Sequence, residues 1–172
     1  MQEVKLDPAL SGEEMYRALV AALESLLEGE PDPIANLANA SALLAQSLPR
    51  VNWCGFYLLR DSGERSGTAE LVLGPFQGKT ACVRIPLGKG VCGTAAARRE
   101  TVVVPDVNLF PGHIACDAAS RSEIVVPIVE NGVLHGVLDL DAPDIDRFGE
   151  EDRAGLERFV AALVPRVAWA RV

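Results

Sequence analysis

Four cysteines are the first residues of this chain that could carry chemistry. They are Cys54, Cys82, Cys92 and Cys116, separated by 27, 9 and 23 intervening residues. Structural zinc sites are built from close pairs such as C-x2-C. The spacing therefore argues against a metal site, and no other motif in the sequence predicts a cofactor.

The surroundings of the cysteines differ. Cys116 lies in "GHIACDAAS", an irregular loop close to His113. Cys92 falls in the first turn of a predicted helix, where the helix dipole is expected to lower the pKa of its thiol. Cys82 lies on a predicted strand, and Cys54 lies inside the apolar strand "WCGFY". For any of them, burial as a small hydrophobic side chain is the alternative interpretation.

Three carboxylates are the second chemical set. In "GVLDLDAP" the two-residue period of a strand places Asp139 and Asp141 on one face. A two-residue turn at 131–132 would direct Glu123 away from Asp139, whereas a three-residue loop at 130–132 would place it opposite Asp139. A solvated face is the plainer interpretation. Because like charges side by side cost stability, a patch of three would need a function.

One reaction would use both sets. A thiolate can attack the sulfur of a sulfoxide if the oxygen is protonated at the same time, and crowded carboxyl groups raise one another's pKa, so one can supply that proton. The cysteine becomes a sulfenic acid, which a second cysteine converts to a disulfide that a dithiol reductant opens. Further carboxylates would pair with an ammonium group on the substrate.

The elements that must position these residues follow from the hydrophobic pattern. A capping box at Ser11 and Glu14 opens one predicted helix, and Asp32 opens a second. A third helix is predicted in "GKGVCGTAAARRE" and a fourth after Gly149. Strands are predicted in "VNWCGFYLL", "AELVLGPF", "TACVRIPL", "TVVVP", "SEIVVPIV" and "VLHGVLDLD". The order ααβββαβββα with hairpins predicts an α+β fold, a central antiparallel sheet flanked by helices.

Bulk properties exclude several classes of function. The chain of 172 residues has a net charge of −8 and no run of lysine or arginine, which disfavours nucleic acid and anionic membrane surfaces as partners. It carries no signal peptide pattern and no apolar run of the roughly 20 residues that span a bilayer. A cytoplasmic protein is expected, in which static disulfides are uncommon.

Four segments together resemble a known family, the free methionine-(R)-sulfoxide reductases, which are stand-alone GAF-domain enzymes. They are "NWCGFYLL", "LVLGPFQGKTACVRIPLGKGVCGTA", "DVNLFPGHIACDAASRSEIVVP" and "GVLDLDAP". The resemblance covers roughly residues 32–165. It implies a single GAF domain over 1–172, with N-terminal helices from about residue 11. It also implies a homodimer that reduces the R epimer of free methionine sulfoxide at the expense of thioredoxin.

The resemblance also assigns the cysteines. Cys116 corresponds to the nucleophile that becomes a sulfenic acid, Cys82 to the principal resolving cysteine, and Cys92 to a further redox cysteine. This replaces the dipole argument that favoured Cys92 as nucleophile. Cys54 stands where the family usually has alanine and has no family role.

The binding residues are implied in the same way. Glu123, Asp139 and Asp141 match the carboxylates that bind the substrate and polarise its sulfoxide, and Trp53 and Tyr57 match the aromatic wall around its methyl end. The hairpin at 61–70 is longer than is usual in the family.

Two other classes of function stay open at this point. A GAF module could bind a small molecule without catalysis, although the N-K-x(n)-F-x(3)-D-E pattern of cyclic-nucleotide GAF domains is absent from the sequence. A cysteine-based redox sensor would share a disulfide but would not need the carboxylates.

Overall fold

An antiparallel sheet forms the centre of the structure, a computed structural model that describes residues 6–7, 9–61, 69–114 and 119–172. Within these residues the sheet has six strands in the order β3-β2-β1-β6-β5-β4. The strands are β1 Trp53–Asp61, β2 Ala69–Gln77, β3 Arg84–Pro86, β4 Val102–Val104, β5 Ser122–Glu130 and β6 Val133–Ala142. The helices are α1 Gly12–Leu26, α2 Pro33–Ser47, α3 Gly90–Arg98 and α4 Glu150–Leu163. The predicted order of elements and the α+β class are confirmed.

Local sequence determines where most helices begin and end. The Asp32 carboxylate accepts the Ala35 N–H at 2.9 Å, as its N-cap position predicts. Helix α4 ends at Leu163, two residues before Pro165. The capping box at Ser11 was wrong: Ser11 is the N-cap residue of α1, but its side chain makes no capping hydrogen bond. Gly12 takes a left-handed φ of +54°, which turns the chain away from capping-box geometry.

No helix in the described ranges is long and apolar enough to cross a membrane.

The two faces of the sheet bury different cores because side chains alternate along each strand. On one face, α2 and α4 pack on the sheet and α1 packs on these two helices. Their core contains the even-numbered residues of the central strands: Cys54, Phe56, Leu58, Ile124, Val126, Ile128, Leu138, Leu140 and Ala142. On the other face, α3 packs against β5 and β6, over a core that contains Trp53, Tyr57, Cys92, Val125 and Val137. The odd-numbered carboxylates of β5 and β6 belong to this second face.

Cys54 is a packing residue of the helical face. Its side chain is fully buried, and its thiol donates to the Ser41 carbonyl oxygen at 3.2 Å. Burial raises the pKa of this thiol to about 12, so it is uncharged and unreactive at neutral pH.

The turn between β5 and β6 has two residues. Asn131 and Gly132 have φ of +50° and +81°, the left-handed pair of a type I′ turn, and Glu130 pairs with Val133. The three-residue loop that would have placed Glu123 opposite Asp139 is therefore wrong.

An irregularity in β6 nevertheless brings the carboxylates onto one face. Val129 pairs with Leu134, but Ile128 pairs with Gly136, so His135 is an extra residue in β6. From the Ile128–Gly136 pair onward the register is shifted by one residue. Even-numbered residues of β5 therefore pair with even-numbered residues of β6, and odd-numbered residues with odd-numbered ones.

Candidate active site

A pocket opens on the α3 face of the sheet. It encloses about 510 Å³ of space including its solvent-filled mouth. Its described lining consists of Trp53, Tyr57, Thr80, Ala81, Ile85, Gly90, Val91, Cys92, His113, Ile114, Ser120, Glu123, Asp139 and Asp141. None of these is a lysine or an arginine. The pocket is thus apolar and aromatic on one side and acidic on the other, and its described lining has no lysine or arginine.

Three carboxyl groups come from two neighbouring strands. Glu123 of β5 lies opposite Asp141 of β6. Asp139 lies two residues before Asp141 in β6, opposite Val125. Glu123 and Asp139 are only 6% and 5% exposed, whereas Asp141 is half-buried. The solvated face considered from the sequence is excluded for the first two.

Burial changes the acidity of this pair. Loss of hydration raises the pKa of Asp139 to about 7. Burial, reinforced by the charges of Asp139 and Asp141, raises the pKa of Glu123 well above its ordinary value. The pair can therefore retain a proton near neutral pH, which is the property that an acid catalyst needs.

Cys92 of α3 lies next to the carboxyl groups. It is the third residue of α3, and its Sγ lies 3.9 Å from Glu123 Oε1. The prediction that the helix dipole lowers the pKa of this thiol was wrong. Complete burial, together with the negative potential of Asp139 and Glu123, raises it well above its ordinary value. The desolvation and the neighbouring acids outweigh the dipole.

Two aromatic side chains form one wall of the pocket. Trp53 and Tyr57 lie on the same face of β1 with ring centroids 5.9 Å apart, and Phe76 stacks on Trp53 at 5.3 Å. The Trp53 Nε1–H donates to the Lys79 carbonyl at 3.0 Å. The Tyr57 hydroxyl donates to the Cys82 carbonyl at 2.9 Å. These bonds hold the wall in place and connect it to the segment that carries Cys82.

The other two candidate cysteines lie on connections. Cys82 precedes β3, which begins only at Arg84, so its predicted position on a strand was wrong. It is half-buried and disulfide-bonded, whereas Cys54 and Cys92 are free thiols. Cys116 lies outside the described residues. So do residues 62–68, to which the expectation of a longer hairpin applies.

His113 is a pocket residue that the sequence did not assign. Its Nε2 lies 3.7 Å from Glu123 Oε2, and burial lowers its pKa, so the ring is uncharged near neutral pH. The segment "GHIACD" was the available signal, since it contains the histidine three residues before Cys116. Ser120, which accepts the Asn52 amide at 3.2 Å, had no such signal.

The fold and the pocket define the general class. Residues 34–164 match the family model of the GAF domain, and the chain belongs to this family.

The relatives define a narrower class. The chain is 53% identical over 150 residues to the free methionine-R-sulfoxide reductase of Escherichia coli, covering 87% of each protein. A structure of the free methionine-R-sulfoxide reductase of Neisseria meningitidis in complex with its substrate matches with a TM-score of 0.90 and 42% identity, over 99% of this chain and 98% of that one. A structure from Burkholderia vietnamiensis described as a GAF sensor protein matches with a TM-score of 0.85 and 56% identity, over 95% and 100%. The chain belongs to the free methionine-R-sulfoxide reductase family.

Proposed function

We propose that this protein reduces the R epimer of free methionine sulfoxide to methionine, through a sulfenic acid and then a disulfide. The observation that carries the proposal is the buried Glu123–Asp139 pair in a pocket with an aromatic wall. The names of the Escherichia coli and Neisseria meningitidis relatives support it.

The first step transfers the sulfoxide oxygen from the substrate to the sulfur of Cys116. The thiolate of Cys116 attacks the sulfoxide sulfur while a carboxyl proton from the Glu123–Asp139 pair goes to the sulfoxide oxygen. The attack forms a bond between the Cys116 sulfur and the substrate sulfur. The hydroxyl then moves to the Cys116 sulfur as this S–S bond and the S–O bond of the substrate break, so methionine leaves and the cysteine becomes a sulfenic acid. The substrate sulfur is reduced by two electrons and the cysteine sulfur is oxidised by two. The raised pKa of both carboxyl groups supports their role as the acid.

The second step removes the oxygen as water. The thiol of Cys82 attacks the sulfenic sulfur, a disulfide forms, and hydroxide leaves with a proton as water. The bond between the Tyr57 hydroxyl and the Cys82 carbonyl supports a defined position for this segment. Cys92 is a further redox cysteine in this proposal. Its distance of 3.9 Å from Glu123 supports a place next to the reaction.

The charges of the pocket fit a free amino acid. An ammonium group is cationic, and the described lining offers it Asp141 and the buried pair without a competing lysine or arginine. The methyl end of the substrate would pack against Trp53 and Tyr57. A peptide-bound methionine has no ammonium group and would leave buried carboxylates without a partner, which disfavours its binding.

The proposal includes a reductant and an assembly. Thioredoxin would open the disulfide in a cytoplasmic homodimer. A thioredoxin-coupled assay tests the reductant, and light scattering on the purified protein tests the dimer.

An epimer-resolved assay with free methionine sulfoxide tests the reaction. The protein should consume the R epimer with dithiothreitol or thioredoxin and neglect both the S epimer and peptide-bound sulfoxide. Cys116→Ser should abolish even the first turnover. Cys82→Ser should release one methionine per site and then stall with thioredoxin. Equal rates on both epimers would contradict the proposal.

The same variants separate a reductase from a redox sensor. Glu123→Gln should leave the oxidation of a sensor by peroxide unchanged, because the acid plays no part there. In a reductase it should suppress methionine release. Full methionine release by Glu123→Gln would remove the acid role.

A further inference from the structure

Three buried side chains from α3, β5 and β6 bring different donor atoms to one point. One ligand atom each from Cys92, Glu123 and Asp139 lies within 4.8 Å of the other two. The residues are separated by 30 and 15 intervening residues in the chain, so their sequence spacing gave no sign of a metal site. The fold brings together what the spacing kept apart.

The distances come close to those of a coordination sphere. Around tetrahedral Zn²⁺, with bonds of about 2.0–2.3 Å, neighbouring ligand atoms lie about 3.3–3.8 Å apart. Cys92 Sγ and Glu123 Oε1 are separated by 3.9 Å. The Nε2 of His113 lies 3.7 Å from the second oxygen of Glu123, which places a nitrogen donor beside the group. Side-chain movements of up to about 1 Å would bring the three atoms within bonding distance of one ion.

An unsatisfied oxygen points to a cationic ligand. Asp139 is only 5% exposed, and its buried Oδ1 has no hydrogen-bond partner among the residues that the structure describes. A buried acceptor in this state is costly unless a ligand satisfies it. The described lining holds no lysine or arginine to neutralise the two carboxylates, and the pocket is open to solvent, so an ion could enter.

We infer that the substrate-free pocket binds a borderline-soft divalent cation, of which Zn²⁺ is the example, through Cys92, Glu123 and Asp139. One thiolate sulfur and two carboxylate oxygens suit Zn²⁺ better than Mg²⁺ or Ca²⁺, which prefer all-oxygen sites. Binding converts the Cys92 thiol to a thiolate and releases its proton to the solvent. The ion occupies the position that the proposed function gives to the substrate, so it is a reversible inhibitor and not a cofactor.

Cobalt provides a direct optical readout of the site. Co²⁺ takes the same ligands as Zn²⁺, and its bond to a thiolate gives a charge-transfer absorption in the near ultraviolet. The protein is titrated without thiol reductant, the state in which Cys82 is disulfide-bonded and Cys54 and Cys92 are free. We expect one Co²⁺ per chain with this absorption, displaced by one equivalent of Zn²⁺.

Variants decide which side chains bind the ion. Cys92→Ser should abolish the charge-transfer band, and Asp139→Asn should weaken Co²⁺ binding at least tenfold. Cys54→Ala removes the free thiol of the opposite face and should leave the titration unchanged. Circular dichroism establishes that each variant is folded, and Asp139→Asn decides alone if Cys92→Ser does not fold. A band that persists in Cys92→Ser, or equal affinity in Asp139→Asn, would overturn the site, as would binding of Co²⁺ without a thiolate band.

Competition separates this inference from the proposed function, on which only its inhibitory part rests. Free methionine should raise the apparent dissociation constant of Co²⁺ if both use the pocket. Co²⁺ binding through Cys92 with no effect of methionine and no reductase activity would leave the metal site intact and remove the proposed function. Reductase activity that is unaffected by stoichiometric Zn²⁺ would overturn the inhibition.

Discussion

Glu123 lies directly opposite Asp141 across the β5–β6 ladder, and both carboxyl groups line the same pocket as Asp139. Like charges in this arrangement oppose folding, and burial of two of the three increases the cost. A cluster of carboxyl groups that costs stability in this way is expected to serve the function of the pocket.

Substitution of Asp139 or Glu123 should remove the fall in the rate of methionine release that the wild type shows as the pH rises. The acid form of Asp139 is present below its raised pKa of about 7 and disappears as the pH rises through it. The single-turnover rate of methionine release should therefore fall between about pH 6 and pH 8 in the wild type. Asp139→Asn and Glu123→Gln should lose about 10²–10⁴ in rate and lack this fall with pH. The exposed Glu100→Gln is the control, and an unaltered profile in Asp139→Asn would contradict the assignment.

The same substitutions should stabilise the fold at alkaline pH. A carboxyl group ionises at about pH 4 in the unfolded chain but at higher pH in the folded protein. Between these values the unfolded state loses a proton that the folded state keeps, so the stability of the wild type falls as the pH rises. Asp139→Asn has no carboxyl group to titrate at this position. Its free energy of unfolding should therefore exceed that of the wild type by about 1–3 kcal/mol at pH 8, and by less at pH 5. Urea unfolding at both pH values measures the difference, and parallel pH dependence of the two proteins would refute it.

Tyr57→Phe should separate the two steps of the reaction. It keeps the aromatic wall but removes the hydrogen bond from the hydroxyl to the Cys82 carbonyl. We expect a full burst of methionine followed by disulfide formation that is slower by about tenfold, which corresponds to one hydrogen bond. Quenched-flow measurement of methionine and thiol loss resolves the steps.

Tyr16→Phe is the matched control. The Tyr16 hydroxyl donates to Asp152 Oδ1 at 2.6 Å on the helical face of the sheet. Its loss should lower stability by about 1–2 kcal/mol and leave both steps unchanged. Equal kinetic effects of the two substitutions would mean that Tyr57 acts only through stability.

Cys54→Ala should leave the reaction unchanged. The side chain packs between the sheet and the helices, away from the pocket, and its thiol donates to the Ser41 carbonyl oxygen. We expect a loss of about 1–2 kcal/mol from the smaller side chain, measured by urea unfolding, with the turnover of the wild type. A change in the turnover number would give this thiol a part in catalysis.

The order of elements could be predicted because each depends on local sequence. Period-two alternation in "GVLDLDAP" correctly placed Asp139 and Asp141 on one face, and Asp32 correctly marked the start of α2. Ser11 shows the limit of this kind of signal. The residue types of a capping box were present, but the backbone of Gly12 did not allow its geometry.

The position of Glu123 could not be predicted because it depends on an irregularity. The type I′ turn was one of the two alternatives considered, yet it would have directed Glu123 to the wrong face without the extra residue His135. Gly136 contributes to this irregularity of β6, because a Cβ at position 136 would come within 2.2 Å of the Tyr57 carbonyl oxygen. The pKa of Cys92 was equally unpredictable, because the acids that raise it come from two distant strands.

The alternation of the sheet gives the two buried thiols separate chemical environments. Cys92 borders the pocket, whereas Cys54 lies on the opposite face of the sheet, in the apolar core under the helices. A small oxidant or alkylating reagent that enters through the mouth therefore meets the first thiol and is screened from the second. Accessibility through the pocket mouth, and not acidity, therefore distinguishes the two thiols, since burial raises the pKa of both.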